Sequence, residues 1–155
     1  LSPVSPIGGE IFPNDRQGLA VTLHPGFYEL PLSCYPYEKN GMSEARISPG
    51  QGEYYVAGGF NGGKAKDFLS MCQELAGAVK RDLDNGIIAV WHDESHINKY
   101  VIGRHPLVLG PEYLFPETLV FNRYHLMGLK HRVKILVKDK SLSKYGGHAW
   151  LRKQS

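Results

Sequence analysis

The chain has 155 residues, 42% of them hydrophobic and 21% charged, which suits one soluble globular domain with a real core and argues against disorder. No apolar run approaches the roughly 18 residues that would span a bilayer, the longest being Ile-Ile-Ala-Val-Trp at 87–91, so no membrane segment is expected. The net charge of +3 conceals an asymmetry: from Lys130 onward there are eight Lys/Arg and one acid, whereas residues 1–129 carry ten bases and fourteen acids. A basic end of this kind suits an anion such as phosphate or nucleic acid, and otherwise is a solvated tail.

Residues 1–18 are rich in Pro and Gly and read as loop. They show neither the basic start nor the apolar stretch of a secretory signal, and a start on Leu1 rather than Met points to a piece of a longer protein. GLAVTL at 18–23 reads as a short buried strand, stopped by His24-Pro25-Gly26, and residues 31–52 are polar and turn-rich. EYYVAGGF at 53–60 begins as a strand and meets glycines where a backbone turns or admits a close neighbour.

The clearest helix follows. Phe68, Met71, Cys72, Leu75, Val79 and Leu83 repeat at three-to-four spacing and predict one apolar face, with Asp67 as N-cap and Asn85-Gly86 as the stop. The run 87–91 then reads as a buried strand, DESHINKYVI as the start of a second helix, and RVKILVK at 132–138 as a late strand. Strands alternating with helices predict an α/β layered fold. Cys34 and Cys72 can form at most one bridge, and free, half-buried thiols in a reducing compartment are expected.

Residues 90–99, VWHDESHINK, carry the most chemistry. His92 and His96 stand four apart, as in the zinc pattern H-E-x-x-H, but the residue after the first histidine is Asp93 rather than Glu. Catalytic zinc needs three protein ligands and an open position, and His105 is the nearest candidate for a third. The alternative dispenses with metal. Asp93 and Glu94 would emerge at the C-terminal end of the 87–91 strand, where α/β folds place their sites. One carboxylate could then address a ligand hydroxyl while the other faces a reacting carbon, and Trp91 supplies an aromatic plane for a sugar. The purely structural reading makes Asp93 a helix cap and Glu94 a solvated first-turn acid.

Two further features are weaker. Asp82-Leu83-Asp84 is a D-x-D of the kind that holds a divalent ion, but with Leu83 on the core face both acids are expected to face solvent. The glycines of VAGGFNGG lack the spacing of a phosphate loop; Ala57, Gly58 and Gly59 are expected to leave room beside the backbone, or simply to make a tight turn.

Taken together, TLHPGFY at 22–28, YPYEK at 35–39, GEYYVAGGFNGG at 52–63, NGIIAVWHDESHINKY at 85–100, GPEYL at 110–114 and the basic stretch after Lys130 resemble the family 6 glycosyltransferases. That family includes the histo-blood-group A and B transferases, the α-1,3-galactosyltransferases and bacterial relatives. The resemblance covers nearly the whole chain in order.

It implies a GT-A-like mixed-sheet fold, here without its N-terminal nucleotide-binding half. It also implies retaining transfer of galactose or N-acetylgalactosamine from a UDP-sugar to the 3-hydroxyl of a β-galactoside, with or without fucose. Glu94 falls on the family's catalytic carboxylate and Asp93 on the residue that holds donor-sugar hydroxyls. His24, Trp91 and Glu117 fall at acceptor contacts. Ala57 and Gly59, which flank Gly58, match the two positions that sort the donors; small residues at both leave volume for an acetamido group and predict N-acetylgalactosamine. Lys138 and Lys144 match residues that close over the UDP pyrophosphate, where a lysine offsets leaving-group charge; Lys144 in place of the family's Arg gives up bidentate geometry.

Some features depart from the family pattern. The chain begins about where the D-x-D or N-x-N motif of the family's first half would have ended, so no cofactor is expected within it, and Mn2+ only if an upstream half carries D-x-D. SPIGGEIFP resembles bacterial members, which implies a cytoplasmic protein, or a Golgi-lumen one if the source is vertebrate. The chain alone is then expected to transfer sugar poorly or not at all. A carbohydrate-binding relative without catalysis and, less favoured, a zinc hydrolase are the competing classes. Neither nucleic acid nor a membrane is an expected partner.

Overall fold

The structure is a computed structural model, and it describes residues 1–117, 128 and 132–139. Among these residues the strands and helices are, in chain order, β1 (Ser2–Pro3), β2 (Leu19–Leu23), β3 (Val56–Gly63), α1 (Ala65–Asp84), α2 (His92–Val101), β4 (Leu107–Leu109), β5 (Phe115–Pro116) and β6 (Ile135–Val137). Single 3-10 turns lie at Gly9–Ile11, Leu32–Cys34 and Pro111–Leu114. The result is the expected mixed α/β architecture.

β2 is central, between β3 (antiparallel) and β4 (parallel). Its apolar run, interrupted only by the buried Thr22, is explained by burial on both faces, since such a strand has no solvent side to alternate with. Leu19 and Val21 pack with Val56, Met71, Ile97, Tyr100 and Val101 beneath the helices. Ala20 points the other way, into a cluster with Leu109, Tyr113 and Ile135. Through Ile135 that second cluster joins β2 to the other three-stranded sheet, in which β6 lies between β1 (antiparallel) and β5 (parallel).

α1 presents Met71 to the core with Phe68 and Leu75 packed beside it, but its expected face is rotated. Leu83 is 57% exposed and Cys72 is exposed, whereas Asp82 is 2% exposed. The helical repeat carries the buried line from Met71 and Leu75 to Asp82, so the core face ends on an acid. The N-cap position is Lys64, and Asp67 lies in the first turn without capping. Both cysteines are free, as expected, but exposed rather than half-buried.

The run 87–91 is not a strand. α1 ends with Gly86 at φ +69°, Ile87 N–H donates to Asp82 O and Gly86 N–H to Leu83 O, the bond pattern of a glycine-terminated helix. The chain is thereby turned straight toward α2. Val90 N–H, which a ladder would have used, goes to the Glu38 carboxylate at 2.7 Å. Ile88, Val90 and Trp91 are half or more exposed. Of the two readings of the β3 glycines, close approach or a tight turn, the turn is not what forms: they lie within the strand, and Gly58 runs close to α2.

Candidate active site

Asp93 and Glu94 sit in the first turn of α2, after a bend rather than after a strand. The helix opens on His92 at φ +50°, a left-handed conformation that costs a residue with a Cβ and concentrates at functional sites. The N-cap position is Trp91, so Asp93 is not the cap. Trp91 N–H donates to Ser95 Oγ at 3.0 Å, and the Trp91 ring is half exposed.

Glu94 faces β3 rather than bulk solvent. Its Oε2 accepts from Gly58 N–H at 2.9 Å and its Oε1 from the Tyr55 hydroxyl at 3.0 Å. The Gly58 N–H is available because β3 is irregular opposite β2: Val21 pairs with Asn61 but Thr22 with Ala57, leaving the residues between without partners on β2. Such bulges re-aim backbone groups beside active sites. Gly58 O is satisfied separately, by Asn61 Nδ2 at 2.9 Å. A Cβ on Gly58 would lie 3.6 Å from Glu94 Cβ and 3.8 Å from Asp93 Oδ2, so Gly58 borders both carboxylates.

Asn98, one helical turn after Glu94, is 2% exposed. Its Oδ1 accepts from Val56 N–H at 2.9 Å, and its Nδ2 donates to Val56 O at 2.8 Å and to Glu94 O at 2.9 Å. Tyr55, 2% exposed, lies edge-on or tilted among the rings of His24, Phe27, Tyr35 and Tyr37, with centroids 5.0–6.0 Å away. Burial first, and the Glu94 charge next, push its hydroxyl pKa well above the usual tyrosine value. It therefore remains a phenol and a donor.

His24 thus adjoins the ring that supports Glu94, and its Nδ1 accepts from Gly26 N–H at 2.9 Å. Ala57 is buried, while a Cβ on Gly59 would meet the Leu114 methyls at 3.4 and 3.5 Å. Glu117 and Lys138 lie just past β5 and β6 of the other sheet, joined by the Glu117 N–H to Val137 O bond and by Lys138 Nζ at 3.3 Å from Glu117 Oε1. An acceptor-side acid and a phosphate-side base expected separately are therefore paired. Lys144 lies outside the described residues.

One residue from each of the two motifs that suggested metal, Asp82 and His96, belongs to a single buried polar cluster. Asp82 Oδ2 accepts from Ser43 Oγ at 2.7 Å and stands 3.5 Å from His96 Nε2, and Asp82 Oδ1 accepts from Glu44 N–H at 2.8 Å. The expectation that both D-x-D acids face solvent holds for Asp84 alone. His92 is exposed while His96 is buried. Among the described residues no three His, Cys, Asp or Glu side chains form a group that could hold a metal. Nor is any described helix long and apolar enough to cross a membrane.

Tyr55, Asn98 and Glu38 are the residues whose part sequence reasoning missed, whereas Asp82 was singled out in the D-x-D motif but given the wrong exposure. Only Asn98 had a local signal, its position four residues after Glu94 on the same helix face.

The sequence that builds this site matches a known family. The family model described as glycosyltransferase family 6 covers residues 6–142. The chain belongs to glycosyltransferase family 6. Its mixed sheets and helix pair are consistent with a GT-A-like domain of that family.

Over 100 residues it is 43% identical to histo-blood group ABO system transferase 1 of Rattus norvegicus, covering 64% of this chain and 29% of that protein. Over 106 residues it is 33% identical to globoside alpha-1,3-N-acetylgalactosaminyltransferase 1 of Homo sapiens, covering 68% and 30%. O-antigen biosynthesis glycosyltransferase WbnI of Escherichia coli is 29% identical over 126 residues, covering 81% and 50%. The chain therefore spans half or less of the length of these family 6 relatives.

Proposed function

We propose that the protein is a retaining glycosyltransferase, moving N-acetylgalactosamine, or galactose, from a UDP-sugar in α-1,3 linkage onto a β-galactoside acceptor. The observation that carries this reading is Glu94: a half-buried carboxylate with a donor on each oxygen, beside Asp93 and Gly58. Family membership supports the reaction class, and relatives named for N-acetylgalactosamine and galactose transfer support the donor class.

In this mechanism a Glu94 oxygen bonds to the anomeric carbon as that carbon's bond to the UDP β-phosphate oxygen breaks, and the electron pair leaves with UDP. The acceptor hydroxyl oxygen then attacks the same carbon and releases Glu94 as carboxylate, its proton passing to the departed diphosphate. Two inversions give net retention. If the first bond never fully forms, the same carboxylate stabilises the positive charge at the sugar ring. Asp93 would accept from sugar hydroxyls, Trp91 and His24 would meet the acceptor, and Lys138 would offset charge on the leaving diphosphate. No step is assigned to a metal.

The test is Glu94→Gln in the intact protein, with UDP-N-acetylgalactosamine and UDP-galactose as donors and lactose as acceptor. Transfer should be abolished while lactose binding is kept, and the parent should favour UDP-N-acetylgalactosamine. Full activity in the variant would return Glu94 to a structural role, and a galactose-only profile would overturn the donor assignment.

A further inference from the structure

We propose that Tyr55 is a positioning residue for Glu94, its buried hydroxyl aiming the carboxylate at the reacting carbon and keeping a donor on Oε1 as that bond is made and broken. The inference rests on the role given to Glu94 under Proposed function.

A glutamate has three rotatable side-chain bonds, so one donor would leave its carboxylate free to swing. Here each oxygen has its own donor, and both donors come from the same strand segment. The Tyr55 ring is immobilised by the aromatic rings around it, and its carbonyl accepts from His24 N–H at 3.0 Å. The next residue, Val56, is clamped by Asn98. The hydroxyl is thus presented before any substrate arrives, which is where enzymes gain most from geometry.

The fold does not need that hydroxyl. Asn98 already ties β3 to α2 with two hydrogen bonds to Val56, and Val56, Ile97 and Val101 pack in the same core cluster. The Tyr55 hydroxyl adds one bond to a joint already closed, and that bond ends on the one carboxylate with a chemical task. When either Glu94 oxygen bonds to the anomeric carbon, the other becomes the carbonyl oxygen of an ester. A donor on each oxygen suits both halves of the cycle, since each oxygen regains charge when the ester breaks. Tyr55 gives up no proton; it serves only as a donor.

Tyr37 provides the control, because its hydroxyl donates to Tyr54 O at 2.6 Å within the same aromatic cluster and does not reach Glu94. The experiment compares steady-state kinetics of the intact protein, Tyr55→Phe and Tyr37→Phe, with UDP-N-acetylgalactosamine and lactose. Tyr55→Phe should lose about 10- to 100-fold in kcat, with both KM values within about 3-fold of the parent, while Tyr37→Phe keeps the parent kcat. Parent-like kcat in Tyr55→Phe would overturn the inference alone. So would an equal loss in Tyr37→Phe, or a Tyr55→Phe protein that circular dichroism shows unfolded, since the hydroxyl would then be serving the fold. A parent with no turnover would overturn the proposed function together with this inference.

Discussion

Asn98 and Val56 are bonded in both directions: the side-chain oxygen accepts from Val56 N–H at 2.9 Å and the side-chain nitrogen donates to Val56 O at 2.8 Å. The amide imitates a neighbouring strand, satisfying both backbone groups of a residue with no solvent exposure. Asn98→Ala would strand those groups without water. The expected cost is about 2–4 kcal/mol, read as a lower denaturant midpoint. Asn98→Asp should be no better, because it places an acceptor against Val56 O.

Glu38 does for the bend before α2 what Asn98 does for β3. It is 8% exposed, and its two oxygens accept from Asn40 N–H and Val90 N–H at 2.7 Å each. Glu38→Ala removes a charged acceptor from two backbone donors and should cost about 2–3 kcal/mol. Because Val90 precedes Trp91, acceptor KM should rise by roughly 3- to 10-fold with a smaller change in kcat. Kinetics with lactose varied at saturating donor would show it.

The buried tyrosines predict a loss of stability in strong alkali. Desolvation, aided by Glu10 and its bond to the hydroxyl, pushes Tyr113 up to about 12, and Tyr37 and Tyr55 are also raised, by burial first. Unfolded tyrosine ionises near about 10. Below that pH neither state ionises and the contribution is unchanged; between about 10 and 12 the unfolded state gains charge that the folded state resists, so stability falls. Denaturant midpoints should be level from pH 8 to 9.5 and decline by pH 11. Tyr113→Phe should make that decline shallower.

Gly59→Ala tests donor choice without a folding penalty. The added Cβ would meet the Leu114 methyls at 3.4 and 3.5 Å, ordinary contact, so the stability cost should stay under about 1 kcal/mol. If this position sorts donors, the ratio of turnover with UDP-galactose to that with UDP-N-acetylgalactosamine should rise. An unchanged ratio would remove Gly59 from donor selection.

Local chemistry was legible where it is set by local period and residue type. The apolar run 18–23 became β2, the three-to-four spacing after Phe68 became α1, and the stretch after Trp91 became α2. The same logic misplaced 87–91, because a short apolar run reads alike as strand or bend until something pairs with it. It also misjudged Asp82, since the phase of a long helix at its last turn depends on what packs there.

By itself the sequence determined the family, through WHDESH and the segments around it, and it singled out Glu94 and Asp93 as the candidate site carboxylates. Only the tertiary structure decided what holds that carboxylate: a tyrosine 39 residues away and a glycine 36 residues away. Hydrogen-bond partners between distant segments leave no periodic trace, because they are chosen by how β3 bulges and where α2 lands. The same holds for Asp82 and His96, which read as parts of two metal motifs and fold into one buried cluster.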